Sequence, residues 1–274
     1  RAKALLPCVA ALGGVVAPAL IYGAFNWQND GLRGWAIPTA TDIAFSLAVL
    51  ALFGKALPPS LKIFLMALAV IDDLAAVVII ALFYTAGISL GALAAALLLA
   101  LALGICNRLR VSSLAAYLAL GVLLWLAVLQ SGVHATIAGV VLGFLMPVSL
   151  GKRCIHAIHP YVAFGIMPLF ALANAGVPLA DVGMAQLQAP VTMGAMLGLF
   201  LRKRLGIFSA AWLLVRLTLA AIPAGTRWPE FYAVCMIAGI GFTMSLFIGG
   251  LAFHDAARIG EMRLGVMAGS LLSM

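Results

Sequence analysis

Apolar runs follow one another along almost the whole chain, at residues 4–25, 36–53, 60–84, 89–106, 112–129, 131–149, 160–177, 189–215, 231–253 and 262–274, the last incomplete. A helix of about 20 apolar residues spans the hydrocarbon core of a bilayer. Repetition at this length leaves an all-α polytopic membrane protein with about ten transmembrane helices as the expected fold. The runs are continuous and rich in Leu and Ala rather than alternating, which argues against a β-barrel. Composition agrees: 65% of the 274 residues are hydrophobic and only 9% are charged, whereas soluble domains carry about a quarter charged residues. The links between runs, such as WQNDGLRG, GKALPPS, CNRLRVSS and SLGKRCIHAIHP, are short. None is long enough to divide the chain, so residues 1–274 read as one transmembrane domain.

The net charge of +8 is best read through topology, not nucleic acid, because Lys and Arg concentrate in cytoplasmic loops. With the N-terminus inside, alternation places Arg1, Lys3, Lys55, Lys62, Arg108, Arg110, Lys152, Arg153, Arg216 and Arg227 in the cytoplasm. Only Arg33, Arg258 and Arg263 fall on the other side. The remaining three, Arg202, Lys203 and Arg204, stand in the middle of the eighth run. The basic, apolar start is not a signal peptide, since its apolar stretch continues to Phe25. Cys8, Cys106, Cys154 and Cys235 have no ligand spacing and read as small hydrophobes. The GVVLG (139–143) and GAMLG (194–198) pairs read as close helix packing.

Two runs are interrupted. AIPTATDIAFSLAVLALF has Pro38, the two threonines Thr39 and Thr41, and Asp42 ahead of its apolar half, and AVCMIAGIGFTMSLFIGGLAF has Gly239 and Gly241 in its middle. Interruptions at corresponding places in two halves point to discontinuous helices of a transporter. They are the central members of the first and last triplets of runs. Six runs lie between them, so the triplets enter from opposite sides, as inverted repeats.

Five of the eight acidic residues, Asp30, Asp181, Glu230, Asp255 and Glu261, fall in loops or at their edges. Asp42, Asp72 and Asp73 lie within runs, where a charge costs at least about 2.5–3.5 kcal/mol and marks a functional candidate. Neighbours on a helix point about 100° apart. One carboxylate of the AVIDDLAAVV pair can therefore face a cavity while the other reaches a neighbouring helix. Carboxylates, threonine hydroxyls and unwound carbonyls suit a hard cation such as Na+. Burial and mutual repulsion both favour the uncharged acid, so proton and cation compete for the pair. Lys203 is the candidate counter-charge, pairing with Asp72 when no cation is bound. His134, in SGVHATIAG, reads first as a hydrogen-bonded structural histidine. His156 and His159, in KRCIHAIHP, stand at a cytoplasmic helix entrance. All three are candidates for pH modulation, because imidazole titrates near neutral pH. HxxH without a third ligand makes no metal site.

The segments GWAIPTATDIAFSLAVLALFGK, PPSLKIFLMALAVIDDLAAVVIIALFYT, QSGVHATIAGVVLGF and AGIGFTMSLFIGGLAF closely resemble the NhaA-type bacterial sodium/proton antiporters, over nearly the whole chain. NhaA is itself a known example of the inverted-repeat transporter. The stretch resembles the family's third helix onward, with the first two helices and a β-hairpin used in dimer contact outside it and the last helix clipped. The resemblance implies an inner-membrane antiporter, not an enzyme, without cofactor. It implies exchange of cytoplasmic Na+ or Li+ for a larger number of external protons, serving pH and sodium homeostasis, and a homodimer that the hairpin would ordinarily strengthen. It further implies that Thr41 and Asp42 sit at the helix crossing and that Asp73 is the main cation and proton carrier. Asp72 would alternate between the Lys203 bridge and protonation, and Gly239 to Ser245 would form the second interrupted helix. Two positions depart from the family pattern. Lys203 stands between two arginines instead of Gly and Pro, and Ile155 replaces the glutamate linked to pH sensing. A sodium-coupled symporter of similar fold is the nearest rival. An intramembrane aspartyl protease also needs two buried aspartates, but no GxGD segment is present.

Overall fold

The computed structural model describes residues 2–53, 57–85, 87–176 and 183–274. Arg1, Lys55 and Asp181, placed in loops above, lie outside the described residues, as do the side chains of Lys3 and Arg202. Helices α1 (Ala2–Asn26), α2 (Ile43–Leu52), α3 (Pro59–Phe83), α4 (Leu90–Arg108), α5 (Leu114–Gln130), α6 (Thr136–Leu145) and α7 (Val148–Tyr161) follow in order. They are succeeded by α8 (Met167–Asn174), α9 (Met184–Leu187), α10 (Pro190–Leu197), α11 (Arg204–Arg216), α12 (Trp228–Ile237), α13 (Phe242–Ala252) and α14 (Ala256–Leu272). No strand occurs among the described residues. Helices satisfy their backbone groups within one segment, as lipid demands.

Four helical stretches, Ala4–Asn26, Pro59–Phe83, Leu90–Arg108 and Val148–Asn174, are long and apolar enough to cross a membrane among the described residues. Two further helix pairs are long and apolar enough only when taken together, and each is bent at a short break: Asp30–Thr39 with α2, at 44°, and α12 with α13, at 43°. Both interruptions expected from the sequence are therefore present. Some run boundaries differ. The KRCIHAIHP stretch is not a link but part of one helix that passes from α7 through a π turn at Val162–Ile166 into α8. Its polar face hid it: only Leu150 of α7 is buried. The last helix starts at Ala256, so Glu261 lies inside it and not in a loop. Lys203 ends a π turn, Gly198–Lys203, that joins α10 to α11 without a loop.

Two compact units result, one of residues 1–76 with 169–274 and one of residues 77–168. In the first, Leu61, Leu65 and Leu68 of α3, Ile207 and Ala211 of α11 and Phe231 and Val234 of α12 form a buried core. Helices α1 and α11 meet backbone to backbone, for a Cβ added at Gly206 would sit 2.2 Å from the Gly13 carbonyl oxygen. Small residues at such crossings are how helices associate in lipid. Gly194 and Gly198 are similarly closed in, by Asn26 and Pro38 respectively. Gly139 and Gly143 are exposed, and a Cβ at either meets nothing within 4 Å among the described residues. Among the described residues no helix packs against that pair. In the second unit Leu103, Tyr117, Leu124 and Ala138 join α4, α5 and α6.

Candidate ion-binding site

The two breaks in the bent spans lie against each other. The backbone N–H of Asp42 donates to the Ile240 carbonyl at 2.7 Å. The C-terminal end of α12 is met from the other chain segment. Thr41 Oγ1 reaches Ala238 O at 3.0 Å, and Ser46 Oγ donates to Ile237 O at 3.2 Å. In return Ser245 Oγ donates to Ile37 O at 2.7 Å. A Cβ at Gly241 would lie 2.3 Å from Ser245 Oγ, and one at Gly239 would lie 2.7 Å from Leu199 O. Only glycine leaves room at these two positions.

Asp42 joins the beginnings of two helices. Its Oδ1 accepts the Phe45 N–H at 3.1 Å in the first turn of α2. Its Oδ2 accepts the Thr243 N–H at 2.9 Å in the first turn of α13, and also the Thr243 hydroxyl. A carboxylate suits this place, where two helix N-termini present unpaired donors and positive dipole ends. Ser270 Oγ takes the neighbouring Phe242 N–H at 3.2 Å.

The α3 pair separates as helical geometry requires. Asp72 is fully buried, and its Oδ2 accepts from Thr41 Oγ1 at 2.7 Å and pairs with Lys203 Nζ at 3.0 Å. Lys203 also donates to the Thr39 carbonyl. Asp73 is half-buried and its side chain makes no hydrogen bond among the described residues; Asp72 Oδ1 and Asp73 Oδ1 are both enclosed oxygens without a partner there. Three carboxyl groups and one lysine meet here, so carboxyl oxygens outnumber the cationic group that could oppose a bound cation. Arg204 does not join them, because it turns back on its own helix, donates Nε to Phe200 O and stacks 3.6 Å over the Phe200 ring.

Thr41, Asp42, Asp72, Asp73, Lys203, Gly239, Gly241 and Ser245 thus all fall in the first unit at the crossing. His134, in the turn before α6, and His156 and His159, exposed on α7, belong to the second unit and make no side-chain hydrogen bond among the described residues. No cluster of three or more His, Cys, Asp or Glu with metal-binding geometry occurs among the described residues. Ser46, Thr243 and Ser270 were not singled out in the sequence. A hydroxyl within an apolar run was the only signal they carried.

The family model described as Na+/H+ antiporter 1 matches residues 1–274. A Na+/H+ antiporter NhaA of Caulobacter vibrioides is 53% identical over 99% of this chain and 69% of its own length. The antiporter of that name from Rhizorhabdus wittichii is 54% identical over 98% of this chain and 73% of its own length. That from Vibrio cholerae is 50% identical over the same shares, 98% and 73%. The bent spans, their crossing and the matches over the full length agree: the chain belongs to the Na+/H+ antiporter 1 family of multi-pass membrane transporters.

Proposed function

We propose that the chain exchanges cytoplasmic Na+ or Li+ for external protons by alternating access, in a bacterial inner membrane and as a homodimer. Family membership supports Na+/H+ exchange itself. The observation that carries the site assignment is the unequal treatment of two adjacent carboxylates. Asp72 is held by Thr41 and Lys203, while Asp73 presents an enclosed oxygen with no partner. Asp73 binds the proton in one state and the cation in the other. An arriving cation draws Asp72 away from Lys203, which then gives up its own proton. One cation thereby exchanges for protons from both Asp73 and Lys203, and the cycle moves net charge. Thr41 lines the site, and Asp42 keeps the two broken helices aligned around it.

The test is Na+-driven proton flux in vesicles, read with a pH-sensitive dye. Asp73→Asn abolishes the flux, and exchange at the unsubstituted rate in that variant refutes the assignment. A symporter of similar fold would move an organic solute with Na+ and show no Na+-driven dye response.

A further inference from the structure

A second set of oxygens lies apart from the crossing. A pocket of about 310 Å³ opens where α1 ends and α10 and α14 begin, lined by Asn26, Asp30, Gly31, Pro190, Arg258 and Glu261 among others. By loop charge this end of the molecule faces away from the cytoplasm. Asn26 is fully buried, and its amide orientation is fixed, because Nδ2 donates to Tyr22 O at 3.0 Å and to Pro190 O at 3.1 Å. The two amide hydrogens are thereby used, and Oδ1 is left enclosed without a partner. It faces Gly31, where an added Cβ would lie 2.6 Å from it. Glu261, on α14, contributes a carboxylate that makes no ion pair or side-chain hydrogen bond among the described residues; its backbone carbonyl takes Thr192 Oγ1 at 3.0 Å. At the rim Asp30 is paired with Arg258 at 3.2 Å.

An enclosed amide oxygen without a donor and a carboxylate to which no described residue donates, on the lining of one pocket, call for a cation. Two acids against one arginine leave a single net negative charge, which suits a monovalent ion. We propose that this pocket is an outward-facing station for an alkali cation, held between Asn26 Oδ1 and the Glu261 carboxylate, with the Asp30–Arg258 pair setting its strength. Only the identity of the cation, Na+, rests on the exchange reading; the binding does not.

The experiment uses full-length chain in neutral detergent, carrying Asp73→Asn so that the crossing site is disabled. The readout is 23Na NMR line broadening, with choline chloride holding ionic strength constant. Excess broadening is expected to persist in Asp73→Asn and to disappear when Glu261→Gln is added. Arg258→Gln is expected to shift binding the opposite way and tighten it about threefold to fivefold. Absence of excess broadening in Asp73→Asn, or indifference to both substitutions, overturns the proposal and means that the pocket holds water only. A chain that fails to exchange Na+ in vesicles but keeps this Glu261-dependent broadening rejects the exchange reading and retains the station.

Discussion

Lys203 and Asp72, from distant parts of the chain, form an ion pair of 3.0 Å with neither side chain exposed to solvent. Removing one member of such a pair leaves the other uncompensated in a low-dielectric interior, at a cost of about 3–5 kcal/mol. Lys203→Met and Asp72→Asn are each expected to lower the unfolding temperature in detergent. The double substitution is expected to cost clearly less than the two losses summed. Thermal unfolding of the four proteins in the cycle checks this.

Asp73 is the opposite case. It has no hydrogen-bond partner to lose, and one of its oxygens is enclosed without a donor. Asp73→Asn should therefore leave stability unchanged or slightly raised while exchange is lost. Thermal unfolding and vesicle flux measured on the same preparation test this pairing. A variant that both unfolds early and stops exchanging would mean that Asp73 is a structural residue.

Asp42 accepts donors from the first turns of both α2 and α13. A helix cap is worth about 1 kcal/mol, so Asp42→Ala is expected to cost about 2 kcal/mol, against about 1 kcal/mol for Thr243→Val. Hydrogen exchange at the Phe45 amide of α2 and the Thr243 amide of α13 should quicken in Asp42→Ala and stay slow in α3. Unchanged protection at both amides would refute the double-capping role.

Gly206 and Gly143 make a matched pair of glycines. A methyl at Gly206 would press on the Gly13 carbonyl, while one at Gly143 would meet open space. Gly206→Ala is expected to destabilise by about 1–3 kcal/mol, as overpacking does. Gly143→Ala should stay within about 0.5 kcal/mol of the parent. Equal unfolding temperatures for the two variants would show that α1 and α11 are not in backbone contact.

The positions of the crossing and of the charged site were legible in the sequence. Pro38 with Asp42, and Gly239 with Gly241, break apolar runs that lipid would otherwise keep unbroken. A buried charge such as Asp72 or Lys203 stands out because few others are present. The partners were not legible. Thr243 and Ser270 lie far along the chain from the groups they satisfy, and a lone hydroxyl in an apolar run resembles any other. Glycine spacing marks a packed helix face at Gly194 and Gly198, whereas at Gly139 and Gly143 the same pattern lies on a face that no described residue covers. The α7 helix was missed because periodic burial is the signal for a helix, and α7 buries almost nothing.

The hydrogen bonding at the crossing also limits how a transported ion can be dehydrated. Both oxygens of Asp42 are occupied by N–H and O–H donors, and one oxygen of Asp72 is shared by Thr41 and Lys203. A cation at the proposed site finds Asp72 Oδ1 and both oxygens of the Asp73 carboxylate without a hydrogen-bond partner among the described residues. It can shed its waters only as those oxygens, and Asp72 Oδ2 once Lys203 releases it, replace them. Discrimination among alkali ions at this crossing then depends on how tightly each ion holds its remaining water.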